Sequence, residues 1–205
     1  MDSRSILTKL ASMEPGIMGL DSFKRSAVLI PLVEIDGETH ILFEVRSMQL
    51  RRQPGDICFP GGRIEADDPT TQACAVRETA EELGISEGSI QDVIPIDYVV
   101  SDMGRIIYPF VGKIPDLDQI TPSTMEVEEI FTVPLSYLQQ TTPEVYRVNF
   151  KVSPEENFPF HLIVGGENYN WQMRHIEELF YLYEDRVIWG LTAKILQHFL
   201  HLIER

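Results

Sequence analysis

The chain has 205 residues, of which 43% are hydrophobic, and a formal net charge of −15 at pH 7. This length and composition predict one globular domain, residues 1–205, with enough apolar residues for a substantial core. The acidic balance argues against nucleic acid and anionic membranes as partners, because both are bound by basic surfaces. An anionic substrate would therefore need locally placed cations or a metal ion.

Cysteine content and hydropathy indicate the compartment. The two cysteines, Cys58 and Cys74, are too few for a disulfide framework and fit a reducing environment. No apolar run has the length of a membrane span, and the N-terminal residues lack the apolar stretch of a signal peptide. We therefore expect a cytoplasmic protein with no membrane partner.

The helix, strands and loops before residue 62 are predicted from the pattern of apolar residues and from turn-forming residues. A short amphipathic helix, Ser3–Met13, is stopped by Pro15-Gly16. Two β-rich apolar runs, Ser26–Glu34 and Thr39–Val45, flank Asp36-Gly37, which is a strong hairpin signal. The segments that follow are an arginine-containing loop, a short strand and a turn: Arg46–Gly55, Ile57–Phe59 and Pro60–Gly62.

The elements after residue 85 are predicted from hydrophobic periodicity. They are strands at Val93–Val100 and Ile106–Lys113 joined by the loop Ser101–Gly104, a strand at Glu126–Pro134 with a helical turn at Leu135–Gln140, a hairpin of Tyr146–Val152 and Phe158–Val164, and a closing helix at Val187–Ile203. The closing helix offers Trp189, Leu191, Ile195, Phe199 and Leu202 for burial. No repeat or linker divides the chain.

A further helix is predicted within the segment Gly61–Ile85. Asp68 precedes Pro69, which is the order of an N-cap acceptor and a first-turn proline. Gly84 marks the end of the helix, where a left-handed cap is usual. At about 100° per residue, one side of the helix is apolar and consists of Ala73, Val76, Ala80 and Leu83.

The other side of this helix carries three glutamates: Glu78, Glu81 and Glu82. Carboxylates at this spacing repel one another, and Arg77, four residues before Glu81, offsets part of that repulsion. A hard divalent cation prefers oxygen ligands of this kind. From the residues alone, two interpretations stay open: a metal site, or a solvated acidic face.

The string Arg77-Glu78-x-x-Glu81-Glu82-x-Gly84-Ile85, preceded by Gly61-Gly62, resembles the box motif of the Nudix family. The sequence departs from the family pattern at two places. Asp68 replaces the first glutamate of the pattern and is separated from Arg77 by eight residues rather than seven, and Thr79 occupies a position that is normally aliphatic. The longer spacing is similar to that of one branch, the coenzyme A pyrophosphatases.

Two other segments resemble the same branch. Arg46-Ser47-x-x-Leu50-Arg51, followed by Gly55-x-x-x-Phe59-Pro60-Gly61-Gly62, is similar to its N-terminal signature. Ile188–Ala193 is similar to its C-terminal end. Gln53 stands where the branch usually has histidine, and Cys58 where it usually has an apolar or small residue.

The resemblance implies an α/β protein with the Nudix fold, in which a mixed β-sheet is sandwiched between α-helices. It implies hydrolysis of a pyrophosphate bond in a nucleoside diphosphate-linked small molecule, with Mg²⁺ or Mn²⁺ as cofactor. The favoured substrate is coenzyme A or a derivative, cleaved to adenosine 3′,5′-bisphosphate and 4′-phosphopantetheine. The alternatives are a Nudix pyrophosphatase for ADP-ribose or another nucleotide, and a non-catalytic nucleotide-binding sensor domain.

The same resemblance assigns roles to the acidic helix. Glu78 and Glu82 are expected as the principal metal ligands, and Glu81 as a further ligand or the proton acceptor. The backbone carbonyl of Gly61 is expected as an extra ligand. Arg77 is expected to hold the catalytic carboxylates in place.

Outside the helix, the resemblance assigns phosphate binding to Arg46 and Arg51, whose planar guanidinium groups can clamp phosphate oxygens bidentately. Glu126 is a candidate loop acid near the metal. Asp68 is expected to cap the helix rather than to bind metal. The oligomeric state and the metal preference do not follow from the sequence.

Overall fold

The structure is a computed structural model, and it describes residues 2–101, 104–172 and 174–204. Its helices are α1 (Ser3–Leu10), α2 (Thr71–Leu83), α3 (Leu135–Gln140) and α4 (Gly190–Ile203). Its strands are β1 (Lys24–Ile35), β2 (Glu38–Arg46), β3 (Ile57–Cys58), β4 (Gly61–Arg63), β5 (Gln91–Pro95), β6 (Val99–Ser101), β7 (Arg105–Lys113), β8 (Val127–Pro134), β9 (Glu144–Phe150), β10 (Arg174–Tyr183) and β11 (Arg186–Trp189).

The larger of two sheets is built around β1. Its strands are hydrogen-bonded in the order β3-β2-β1-β7-β5, and β4, β8 and β6 also pair with β1, β2 and β7 respectively. β1 and β7 run parallel, whereas β1 pairs antiparallel with β2 and with β4, so the predicted mixed sheet is confirmed. The smaller sheet has the order β11-β10-β9.

Alternate side chains of the central strands pack against different helices, as the period of a strand requires. Leu29 of β1 lies in a buried cluster with Leu83 of α2. Its neighbour Ile30 lies in a second cluster, which contains Leu196 of α4 and Ile188 of the smaller sheet. The larger sheet is therefore enclosed between helices, as predicted. We propose that the chain forms one domain, because the second cluster joins both sheets.

Several local predictions are confirmed. The hairpin at Asp36-Gly37 pairs Glu34 with Thr39, and the turn residues have φ values of 51° and 83°, as a type I′ turn requires. The strands β7 and β8 begin within one residue of the predicted positions, and α3 has the predicted bounds.

The second predicted hairpin is wrong. Phe158–Val164 contains a 3₁₀ turn, Phe160–Leu162, and β9 pairs instead with β10, which was not predicted. Pro159 immediately precedes that turn, and a proline cannot donate to a strand ladder. The predicted strand Val93–Val100 is also two strands, β5 and β6, which pair with different parts of β7.

Both terminal helices are shorter than predicted. Residues Val187 to Trp189 belong to β11, and α4 begins at Gly190. Ile195 and Phe199 are buried as predicted, whereas Trp189 is 42% exposed. α1 ends at Leu10 and buries none of its side chains.

The predicted loop Ser101–Gly104 includes residues 102 and 103, which lie outside the described residues. Within the part of the chain that the structure describes, no helix combines the length and the apolar content needed to cross a membrane.

The start of α2 differs from the prediction. Its N-cap is Thr70, whose Oγ1 accepts a hydrogen bond from the backbone N–H of Ala73 at 3.0 Å. The carboxylate of Asp68 is instead bound by the guanidinium of Arg77, since charge-assisted hydrogen bonds are stronger than a neutral cap. The predicted left-handed end at Gly84 is confirmed, with φ 63°.

The buried surface of α2 is wider than predicted. Ala80 and Leu83 are buried as expected, but so are Thr79, which was assigned to neither side, and Glu82, which is on the side predicted to be acidic. The cause is β4, whose residues Gly61 and Gly62 lie against Glu82 and Glu78, in addition to the contact of α2 with β1.

The C-terminal end of α2 is attached to the segment that precedes β8. The backbone N–H groups of Thr121 and Ser123 donate to the carbonyls of Leu83 and Glu82, each at 2.9 Å. A Cβ atom at Gly84 would collide with the carbonyl oxygen of Thr121. This close approach fixes the position of the segment that leads to Glu126.

We expect Gly84→Ala to destabilise the protein by more than about 2 kcal/mol, because a left-handed φ alone costs about 1–2 kcal/mol in other residues and the collision adds to it. Gly88→Ala is the control, since the nearest atom to its Cβ would be Ser86 Oγ at 3.9 Å. The control should change stability by less than about 1 kcal/mol. Urea unfolding followed by circular dichroism measures both, and equal stabilities of the two variants would contradict the expectation.

Candidate active site

Gly61 and Gly62, which were predicted to form a turn, begin strand β4, where they lie against β1 and α2. Gly61 has φ 146°, and a Cβ atom there would collide with the backbone of Ala27 in β1. A Cβ atom at Gly62 would collide with the carboxyl group of Glu78. Gly61 therefore requires glycine, because only a residue without a side chain can approach the backbone of β1 so closely, whereas a side chain at Gly62 would displace the carboxyl group of Glu78.

The side chain of Glu82 lies next to Gly61 of β4. Glu82 is 5% exposed, and its Oε2 accepts a hydrogen bond from the backbone N–H of Gly61 at 2.7 Å. Burial raises the pKa of Glu82, and the nearby carboxyl of Glu44 raises it further. The interpretation of a solvated acidic face is therefore wrong for Glu82.

Glu78 lies one turn before Glu82 on α2 and its side chain is 17% exposed. Its Oε1 is 2.9 Å from Nη2 of Arg77. Burial raises the pKa of Glu78, and this effect exceeds the opposing effect of Arg77. The charges of Glu81 and Glu126 raise it further. The carboxylates of Glu78 and Glu82, one partly and one fully buried, thus lie against the two glycines at the start of β4.

Arg77 connects three carboxylates. Its Nε and Nη2 atoms donate to the two carboxylate oxygens of Asp68 at 2.9 and 3.0 Å, and Nη1 donates to Glu81 at 3.2 Å. With the contact to Glu78, this arrangement suits the predicted holding role of Arg77. The hydrogen bonds from Arg77 and from the N–H of Glu65 hold the pKa of Asp68 far below its usual range.

Glu81 and Glu126 are more open to solvent than the other acids. The side chain of Glu81 is 59% exposed and turned towards Arg77. Glu126 is exposed, but its negative charge contributes to the raised pKa values of Glu44, Glu78 and Glu82. The structure therefore brings Glu126 near the carboxylates on α2.

Glu44 is a buried acid that the sequence analysis missed. It lies in β2, is 1% exposed, and its Oε1 accepts a hydrogen bond from the thiol of Cys58 at 3.1 Å. Its Oε2 is buried and has no hydrogen-bond partner. Burial raises the pKa of Glu44. The available signal was an acidic residue inside the otherwise apolar run Ile41–Val45.

The predicted phosphate-binding arginines lie at the loop between β2 and β3. Arg46 closes this loop: its backbone N–H donates to the carbonyl of Asp56, and its carbonyl accepts from Gly55, each at 2.9 Å. Its Nε is buried and has no hydrogen-bond partner among the residues that the structure describes, and its charge lowers the pKa of Glu44. Arg51 is exposed in the loop.

The donor set fits a divalent cation chemically. Carboxylates are the ligands that Mg²⁺ and Mn²⁺ prefer, and the unpartnered Oε2 of Glu44 is an acceptor that a cation would satisfy. In the described ranges, no three His, Cys, Asp or Glu side chains converge closely enough to hold an ion as they stand. Binding would therefore require rotation of one or more glutamates.

We expect Asp68→Asn to lower the melting temperature at neutral pH, because it removes the charge that Arg77 binds. Since the folded-state pKa of Asp68 is depressed from 3.8, its stabilisation is present above that value and is lost as the pH falls below it. The difference from wild type should therefore shrink in acid. The control is Asp67→Asn, at an exposed neighbour. Identical melting temperatures of both variants at neutral pH would contradict the expectation.

Comparison with known proteins identifies the family. A model of the NUDIX domain matches residues 23–155. The chain is 37% identical over 125 residues to peroxisomal coenzyme A diphosphatase NUDT7 of Mus musculus, and this match covers 61% of this chain and 52% of that protein. The match thus spans about half the length of that relative. The chain is 30% identical to mitochondrial coenzyme A diphosphatase NUDT8 of Homo sapiens over 87% of this chain and 69% of that one.

A solved structure of a MutT/nudix family protein from Enterococcus faecalis shares the fold, with a TM-score of 0.51 and 14% identity over 100% of this chain and 71% of that one. The predicted Nudix fold is therefore confirmed. The predicted likeness to the coenzyme A branch is also confirmed, because both curated relatives carry that name. The chain belongs to the NUDIX domain family, and it is a pyrophosphohydrolase of that family.

Proposed function

We propose that the protein hydrolyses the pyrophosphate bond of coenzyme A or a derivative to adenosine 3′,5′-bisphosphate and 4′-phosphopantetheine. The observation that carries this proposal is the contact of Gly61 and Gly62, at the start of β4, with the carboxylates of Glu82 and Glu78. It places backbone groups and buried acids side by side, as hydrolysis of a charged phosphoric anhydride needs. The names of the two curated relatives support coenzyme A as the substrate.

In this proposal, Glu78 and Glu82 hold Mg²⁺ or Mn²⁺ together with the backbone carbonyl of Gly61. When bound, such a cation neutralises phosphate oxygens and lowers the pKa of a coordinated water. The N–H of Gly61 fixes the carboxylate of Glu82, and Arg77 fixes that of Glu78. We assign proton acceptance to Glu81, because its carboxylate is exposed and therefore accessible to water.

The arginines supply the cations that an anionic substrate needs on so acidic a protein. The Nε of Arg46 is buried, so we assign phosphate binding to the terminal nitrogens of its guanidinium group. Arg51 is exposed in the same loop, and we assign it to the phosphates as well. Glu126 is proposed as an additional acid near the helix carboxylates, whose pKa values its charge raises.

A second candidate substrate is ADP-ribose or another nucleotide. A departure from the branch pattern favours it: the thiol of Cys58 donates to Glu44, which lies near Glu82. The site therefore differs chemically from the branch pattern next to a proposed metal ligand. A sensor domain without turnover is the least favoured alternative, because Glu78, Glu81 and Glu82 are all present.

We propose a reducing compartment, such as the cytosol, because both cysteines are free thiols. The two curated relatives are named for peroxisomes and mitochondria, so subcellular fractionation is needed to distinguish these compartments. The charge of −15 supports the expectation that nucleic acid is not a partner.

Hydrolysis in ¹⁸O-labelled water tests the function. We expect the wild type with Mg²⁺ or Mn²⁺ to convert coenzyme A into the two named products, with label in one of them. In Glu82→Gln, kcat should fall at least about a hundredfold, since a metal ligand is worth several kcal/mol. The glutamine keeps an acceptor for the N–H of Gly61, so circular dichroism should be unchanged. Cleavage of ADP-ribose but not of coenzyme A would establish the second candidate instead.

The arginines are tested separately. We expect Arg46→Ala or Arg51→Ala chiefly to raise KM, because phosphate contacts persist from ground state to transition state. Loss of a charge-assisted hydrogen bond costs about 1.5–3 kcal/mol, so kcat/KM should fall about tenfold to hundredfold. Arg4→Ala, an exposed site on α1, is the matched control. Unchanged kinetics in both loop variants would show that this loop does not bind the phosphates.

A further inference from the structure

Glu44 is an acidic residue in an unusual position. It lies in β2, on a strand whose neighbouring residues Leu42 and Phe43 are fully buried, and it is itself 1% exposed. The motif that carries the proposed catalytic glutamates is on α2 and does not include it. An ionised carboxylate in such a place is destabilising unless each oxygen has a partner.

Within the described part of the chain, one of its two oxygens has a partner and the other has none. The thiol of Cys58 donates to Oε1 at 3.1 Å, whereas Oε2 is buried and accepts no hydrogen bond from any described residue. A protonated Glu44 would leave the same oxygen unsatisfied, because its hydroxyl would need an acceptor. The open position is therefore Oε2, whichever form the carboxyl takes.

The surroundings of Glu44 are acidic. Side chains alternate along β2, so Glu44 lies on the same face as Leu42, which packs in one buried cluster with Leu83 of α2. Glu44 also pairs with Cys58 of β3, which is shortly followed by Gly61, and the N–H of Gly61 binds Glu82. Consistent with this placement, Glu44 raises the pKa of Glu82, and Glu126 raises the pKa of both. Arg46 opposes them, but its buried Nε makes no hydrogen bond to Glu44. Buried like charges with an unsatisfied oxygen need a partner that is positively charged and accepts oxygen ligands.

We propose that Glu44 is an additional ligand of the divalent cation, provided by β2 to the ion that Glu78 and Glu82 hold from α2. This inference rests on the proposed function, because it assumes that the helix glutamates bind the ion. Cys58 acts as a positioning residue: by binding Oε1, its thiol directs Oε2 towards the ion. The cation site thus draws on the sheet as well as on the helix.

The test uses Mn²⁺ alone and the substrate-free protein. Glu44→Gln keeps the size of the side chain and an acceptor for the thiol of Cys58, and Glu87→Gln removes the same charge at an exposed position. We expect Glu44→Gln to raise the Kd for Mn²⁺ by about tenfold or more, measured by isothermal titration calorimetry. Its melting temperature should rise without the ion, because a buried repulsion is removed, and should gain less on adding Mn²⁺ than that of wild type. Glu87→Gln should match wild type in both measurements.

A second variant covers the case in which Glu44→Gln does not fold. Glu44→Asp keeps the charge but shortens the side chain, so it should also raise the Kd for Mn²⁺ if Oε2 binds the ion. Wild-type Kd values in a folded Glu44 variant would overturn the inference and leave Glu44 as a structural buried acid.

The outcomes separate this inference from the proposed function. If Glu78→Gln and Glu82→Gln weaken Mn²⁺ binding but neither Glu44 variant does, the inference fails and the proposed metal site stands. If Glu44→Gln weakens Mn²⁺ binding but the wild type hydrolyses neither coenzyme A nor ADP-ribose, the proposed function fails and the ligand assignment stands.

Discussion

The hydrogen bond from the backbone N–H of Gly61 to the carboxylate of Glu82 is the contact on which the site depends. At this place β4 lies close to both β1 and α2, because a Cβ atom at Gly61 would collide with β1 and one at Gly62 with the carboxyl group of Glu78. The same approach removes Glu82 from water and so makes its charge costly. The fold thus holds the carboxylates in a state that a cation would stabilise.

Crowding of acids at one place needs compensation elsewhere. Arg77 provides part of it, because its guanidinium group contacts Asp68, Glu78 and Glu81 together. Backbone hydrogen bonds provide rigidity, since Thr121 and Ser123 attach the next segment to the end of α2. Neither contact neutralises Glu44 and Glu82, whose pKa values are raised by burial.

The C-terminal part of the chain supports the site from the opposite face of the larger sheet. β10, β11 and α4 lie beyond the residues matched by the family model, yet Tyr181, Ile188 and Leu196 pack into the core with Phe43 of β2. α4 also reaches the strand next to the site, because the hydroxyl of Thr192 donates to the carbonyl of Ile57 at 3.2 Å. Through these contacts the smaller sheet and α4 fix β2 and β3, which carry Glu44 and Cys58.

The sequence by itself determined several elements that depend on neighbouring residues, and it identified the glutamates of the motif on α2. A helix ending at Gly84, a hairpin at Asp36-Gly37 and a helical turn at Leu135–Gln140 follow from turn chemistry and periodicity, which act between residues close in the chain. The glutamates on α2 could be found in the same way, because helical spacing sets their angles around the axis.

Only the tertiary structure decided which of these acids are buried and what they contact. Helical spacing cannot show that β4 covers Glu82 while Glu81 stays open, or that Asp68 binds Arg77 rather than capping α2. Nor can it show that Glu44 of β2 lies near enough to Glu82 to raise its pKa, because the two residues are far apart in the chain. The same limit explains why β10 was missed, since a strand partner depends on pairing across the sheet rather than on local pattern.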